Sequence, residues 1–110
     1  MIKIIIYKAR EGEIMGFKVT GHSGYGTQGK DIVCSAVSAL AQTALLGLMK
    51  VAEADVDYKI DEGYLACSIK DAGSDRKRIM CEAILGTMYE GLKSIKESYI
   101  KHIDIVEEEV

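Results

Sequence analysis

Two side chains in this sequence have complementary chemistry, the imidazole of His22 and the thiol of Cys34. They stand at the two ends of the stretch His22-Ser23-Gly24-Tyr25-Gly26-Thr27-Gln28-Gly29-Lys30-Asp31-Ile32-Val33-Cys34, which crosses a glycine-rich loop and enters a long apolar run. A loop that folds back on itself brings the two groups together. Asp31 is a good helix N-cap. With that cap, Cys34 takes the third helical position, where unpaired backbone N–H groups and the helix dipole favour a thiolate. The same N–H groups are suited to holding the oxyanion of an acyl-transfer intermediate. His22 is placed to take the thiol proton and return it to a leaving amine. Two duties are open to Asp31, capping the helix and orienting His22. Ser38 lies one turn beyond Cys34 on the same helix face and is expected to line the site. Gly24, Gly26 and Gly29 make the loop between them one that opens for an extended substrate and closes over it.

The glycines also invite a different reading. Gly24-Tyr25-Gly26-Thr27-Gln28-Gly29 fits G-x-G-x-x-G, and the run from Gly24 to Asp31 nearly fits G-x-x-x-x-G-K-[ST]. Both patterns set glycine backbone against phosphates at a helix N-terminus. Asp31, however, stands where the second pattern needs a hydroxyl for Mg²⁺, and its charge repels phosphate. The preceding strand belongs to a hairpin rather than to a βαβ unit. Neither ATP nor NAD is expected to bind, and no cofactor is expected. A zinc site built on His22 and Cys34 lacks further ligands at a recognisable spacing, so no metal is expected. Cys67 and Cys81 read as core thiols and His102 as an exposed strand residue. Arg76-Lys77-Arg78 reads as a solvated helix start. Together with the glycine loop, it is also the feature on which a rival reading rests, a non-enzymatic binding module.

The elements that must position the site follow from hydrophobic periodicity. Residues 2–10 are β-branched and aromatic and predict a strand. After Glu11-Gly12-Glu13, residues 14–22 alternate with Met15, Phe17 and Val19 on one face, a second strand paired to the first. His22 shares the parity of Lys18 and Thr20 and so points away from the apolar layer. Residues 32–52 predict a helix with an unusually small interior and a stripe of Val33, Val37, Leu40, Ala44 and Leu48. Val56, Tyr58 and Ile60 mark a third strand. Residues 64–69 return as a fourth, with Leu65, Cys67 and Ile69 on one face. Ser74 or Asp75 caps a second helix to about residue 97, whose buried face is Met80, Ala83, Ile84, Thr87, Met88, Gly91, Leu92 and Ile95. Residues 99–106 form a last strand, and Glu107, Glu108 and Glu109 a solvated tail. The order β-β-α-β-β-α-β predicts an α+β two-layer domain spanning residues 1–110, two helices packed on a largely antiparallel sheet.

Composition narrows the function. The chain has 110 residues, of which 48% are hydrophobic, enough for one core without staples. A net charge of −3 gives no overall attraction to nucleic acid or to anionic lipid. No apolar run is read as reaching the ~20 residues of a membrane span, and the opening residues read as a strand rather than a signal peptide. Three cysteines with no close pairing pattern suit reduced thiols in a cytoplasm.

The pattern Gly21-His22, then Gly29-Lys30-Asp31-Ile32-Val33-Cys34-Ser35-Ala36-Val37-Ser38, resembles the signature of the Prp family, the ribosomal-processing cysteine proteases of Firmicutes and related bacteria. Chain length and element order agree with that resemblance along the whole chain. It implies a cysteine endopeptidase that removes a short N-terminal extension from the ribosomal large-subunit protein numbered twenty-seven. The family's catalytic pair falls on His22 and Cys34, its acidic residue on Asp31 and its following serine on Ser38. The resemblance also implies a homodimer. Ser23 and Ser35 stand where alanine is common in the family.

Overall fold

In a computed structural model, which describes residues 1–27 and 31–110, the chain runs β1 (Ile2–Lys8), β2 (Ile14–Thr20), α1 (Ile32–Leu46), a π-helical turn (Gly47–Val51), β3 (Asp55–Asp61), β4 (Tyr64–Asp71), α2 (Asp75–Ser98) and β5 (Ile103–Glu109). The predicted order holds. The strands form one sheet in the order β3-β4-β2-β1-β5, antiparallel except for β1 and β5, which run parallel. Both helices pack against this sheet and against each other. The core is built from Ile2, Ile4, Ile6 and Phe17 of the sheet, Val33, Val37, Ala41, Leu45 and Leu48 of the first helix, and Leu85, Met88 and Leu92 of the second.

The small interior of α1 serves helix contact. A Cβ placed on Gly91 of α2 would come 2.9 Å from Leu40, and one on Gly47 would come 3.3 Å from Ile84. Leu40 and Ile84 thus fill the space that a glycine on the facing helix leaves. Together α1 and its π turn make the one helix among the described residues, Ile32–Val51, long and apolar enough to cross a membrane by length and composition. This corrects the expectation that no such run exists. Val33, Val37, Ala41, Ala44, Leu45 and Leu48 of this helix are buried in the core, whereas Ile32, Leu46 and Val51 are exposed.

Further expectations are corrected. The buried face of α2 is centred on Cys81, Leu85, Met88 and Leu92, while Ala83 and Thr87 are exposed. The i, i+4, i+7, i+11 spacing of those four explains the choice. Glu107, Glu108 and Glu109 are no tail. They are the end of β5 and pair with Ile6, Tyr7 and Lys8, and Glu107 bridges Lys8 at 3.1 Å. Backbone pairing, indifferent to side-chain polarity, carries the strand through them. The last strand begins at Ile103, not Tyr99, so His102 lies in the turn before it and is half-buried rather than exposed. Finally, β2 ends at Thr20 rather than at residue 22, because Gly21, with a φ of 86°, turns the chain out of the strand; β3, for its part, is an edge strand whose Tyr58 and Ile60 stay exposed.

Candidate active site

The helix that carries Cys34 starts where its cap dictates. Asp31 has extended backbone angles, and its Oδ1 accepts from the amides of Val33 at 2.9 Å and Cys34 at 3.0 Å. These bonds satisfy two of the orphan donors of the first turn. They also narrow one expectation: of the first-turn N–H groups meant for an oxyanion, those of Val33 and Cys34 are already taken by the cap.

The other carboxylate oxygen works on the loop. Oδ2 accepts from the hydroxyl of Ser23 and from the amides of Tyr25 and Gly26, each at 3.2 Å. The Ser23 hydroxyl accepts in turn from the Tyr25 amide at 3.1 Å. Asp31 is 4% exposed and Ser23 2%. Burial alone would push the Asp31 carboxyl up. Hydrogen bonds from the Ser23 hydroxyl and the Cys34, Gly26 and Val33 amides outweigh it and hold the carboxyl well below the usual carboxylate range. Of the two duties open to Asp31, the structure places it at the helix cap. It adds a clasp on the loop, and His22 is not among its described partners.

The clasp folds the loop over the thiol. The Ser23 amide donates to Cys34 Sγ at 3.2 Å. Among the described residues, this bond to Sγ comes from Ser23 and not from His22. The two side chains of the expected pair instead open onto one cavity of about 780 Å³, within the size range of ligand sites. Gly24, Gly26, Asp31 and Ser35 line it too, as does Ser38, one turn along α1 from Cys34. Ser38 is exposed, and its Oγ accepts from Gln42 Nε2 at 2.7 Å. Its lining also includes the apolar Val19, Ala39, Leu46, Ile60 and Leu65, with the charged Asp61 next to Ile60. Gly29, the third glycine of the predicted gating loop, lies outside the described residues.

His22 is exposed, as expected, but β2 ends before it, so strand parity is not what sets its direction. It leaves β2 through Gly21, whose amide donates to the Gly63 carbonyl at 3.0 Å. Its ring lies against the turn between β3 and β4, where a Cβ on Gly63 would come 3.1 Å from His22 Nε2. Gly63 also has a positive φ of 63°, so a glycine both makes the turn and leaves room for the imidazole. Cys67 and Cys81 are buried, as expected. Burial, with Cys81 beside it, pushes the Cys67 thiol up to about 12. Burial and the charge of Glu82 push Cys81 up as well.

Three contributors escaped the sequence. Ser23 and Gly63 act through contacts that no spacing announces. His102, read as exposed, places Nδ1 2.9 Å from the Ser23 carbonyl, and the Tyr25 ring packs edge-on against both His102 and Tyr99. The one available sign was Tyr25, the loop's single apolar anchor. Arg76 and Arg78 are exposed, Arg78 lies 3.5 Å from Asp75, and Lys77 donates to the Glu53 carbonyl. Among the described residues, no group of three or more His, Cys, Asp and Glu side chains is placed to hold a metal ion. The strand before the loop pairs antiparallel on both sides, unlike that of a βαβ nucleotide fold.

The chain is similar along its length to known proteins. The sequence model of the family described as "Cysteine protease Prp" matches residues 1–104. The ribosomal processing cysteine protease Prp of Staphylococcus aureus is 30% identical over 94% of this chain and 95% of its own. Its namesake from Bacillus subtilis is 26% identical, covering 90% of each. A crystal structure of an essential ribosomal processing protease Prp from S. aureus, in complex with a covalently linked product peptide, matches with a TM-score of 0.87. That match has 26% identity and covers 98% of this chain and all of the other.

Proposed function

Because the chain belongs to the cysteine protease Prp family, we propose that Cys34 is its nucleophile and His22 its general base and acid. The reading places this single protease domain in the cytoplasm as a homodimer that needs no cofactor. Its substrate is the precursor of the ribosomal large-subunit protein numbered twenty-seven. One observation carries the site assignment: His22 and Cys34 open onto the same cavity, with the thiol at the capped start of α1. The imidazole removes the Sγ proton, and the sulfur attacks the scissile carbonyl carbon. The carbonyl electron pair moves to oxygen. On collapse the C–N bond breaks, and the amine leaves with the proton from His22. Water then hydrolyses the thioester. Imidazole and sulfur need not be in contact at rest, because catalytic hydrogen bonds often tighten only once substrate is bound. The Val33 and Cys34 amides belong to the cap, and the Ser23 amide is the described backbone donor that faces the sulfur, suited to the negative charge of the thiolate before it attacks. Asp31 supports the pair by fixing helix start and loop together, and Ser38 lines the wall along which the peptide lies. Gly24 and Gly26 give the loop its freedom to admit that peptide.

The test is incubation of the full chain with that precursor, read by intact mass. Wild type is expected to release the N-terminal extension, and Cys34→Ala and His22→Ala to release none. His22 is exposed, so its alanine variant should stay within ~0.5 kcal/mol of wild-type stability. Cleavage by either variant sinks the dyad. Binding without cleavage by the wild type would instead support the binding-module reading.

A further inference from the structure

His102 comes from the far end of the chain to the loop that covers Cys34. Its Nδ1 lies 2.9 Å from the Ser23 carbonyl oxygen, across 79 residues of sequence. A carbonyl only accepts, so Nδ1 carries the hydrogen and His102 is the donor. The imidazole is itself held in place: the His102 amide donates to the Tyr99 carbonyl at 2.9 Å, and the His102 carbonyl accepts from the Ile2 amide at 2.9 Å. Its ring packs edge-on against Tyr25 at 5.3 Å.

Ser23 is thereby gripped at three points. Asp31 takes its hydroxyl, His102 its carbonyl, and the amide is left aimed at Cys34 Sγ at 3.2 Å. The N–H and C=O of one residue flank a single Cα, and only two backbone dihedrals relate them. Pinning the carbonyl and the side chain therefore sets the direction of the amide. We infer that His102 is a positioning residue for the nucleophile, one that acts through Ser23 by holding the Ser23 amide on the sulfur. This rests on the reading of Cys34 as nucleophile. His102 is not among the residues lining the cavity onto which Cys34 opens, and in this role it exchanges no proton in the reaction.

The experiment compares two variants of the full chain. His102→Phe keeps a ring against Tyr25 and loses the donor. His102→Asn loses the ring but keeps an N–H at the position of Nδ1. Two readouts are taken: kcat and KM on the precursor protein, and the rate at which iodoacetamide labels Cys34, which needs no peptide. Misplacing a group that faces the reaction costs on the order of tenfold to a hundredfold. His102→Phe is thus expected to lower kcat at least about tenfold with KM within about twofold, and to slow labelling in parallel. His102→Asn is expected to recover both to within about threefold of wild type. If the phenylalanine variant does not fold, His102→Gln, whose amide sits one bond further out, takes its place with the same expected loss. A donorless variant that works like wild type overturns the inference. So does an asparagine variant as poor as the phenylalanine one, because packing rather than the donor would then be what matters. Failure of the underlying reading looks different: Cys34→Ala would cleave as well as wild type, while the labelling series would still judge His102.

Discussion

Replacing Asp31 with asparagine separates the two tasks that its carboxylate performs. Asparagine caps a helix about as well as aspartate, so its carbonyl can keep the bonds from Val33 and Cys34. Its NH₂ group then lies where Oδ2 was. There it meets three donors, the Ser23 hydroxyl and the amides of Tyr25 and Gly26, and accepts from none of them. Tyr25 and Gly26 are exposed and their amides can turn to water, whereas Ser23 is buried. Orphaning one buried hydroxyl costs ~1–3 kcal/mol. That is the expected loss for Asp31→Asn, and Asp31→Ala adds ~1 kcal/mol for the cap. Turnover should behave differently, falling about tenfold or more in both variants alike, because both release Ser23 from its place over the sulfur. The pH dependence has a definite sign. The folded Asp31 carboxyl titrates below its ordinary 3.8, so its stabilisation is full above that value and is lost as pH falls through the folded one. The stability gap between wild type and Asp31→Asn should be flat from about pH 5 to 8 and narrow below about pH 4. Urea midpoints across this range, with turnover at neutral pH, provide the measurement. An asparagine variant with wild-type stability and turnover, or a gap that persists unchanged in acid, would refute the clasp.

Two further outcomes are expected. Iodoacetamide near neutral pH should label Cys34 well before Cys67 and Cys81, since the latter two are buried with thiols pushed up; peptide mapping that finds either one labelled as fast as Cys34 would count against the assignment. Gly63→Ala and Gly12→Ala both force a positive φ on alanine, 63° and 98°, and each should lose ~1–2 kcal/mol, seen as a drop of roughly 5 °C or more in Tm. Only Gly63→Ala pushes on His22 Nε2, whereas a Cβ on Gly12 meets nothing within 4 Å, so a turnover loss in both variants would contradict the role given to the β3–β4 turn.

What was legible in the sequence was local. The alternation of the second strand, the cap at Asp31 and the thiol one turn in are short-range features; the cap and the thiol take the predicted positions, and the strand stops at Thr20, two residues short of His22. Hydrophobic periodicity placed five strands and two helices, because each element buries one face against the same core. What was hidden depends on partners far along the chain. No pattern shows that β5 lies beside β1, so three glutamates looked like a tail and His102 like a surface residue. The exposed face of β3 was hidden too, since period-two alternation does not reveal whether a helix covers the strand. Asp31 was readable as a cap but not as a clasp, because Ser23, Tyr25 and Gly26 reach it only after the loop has turned.

The parallel pairing of the first and last strands also sets an order of events. The hairpin of β1 and β2 forms from neighbouring residues, and so does that of β3 and β4. The tie between Ile2 and His102 must instead close a loop of nearly the whole chain, and long-range parallel pairing of this kind is intrinsically slow. As the chain leaves the ribosome, His22 and Cys34 emerge well before the strand that brings His102 against the Ser23 carbonyl. The Ser23 carbonyl, made early, therefore waits for a partner 79 residues further along the chain, and the sheet position beside β1 stays open until that same segment arrives.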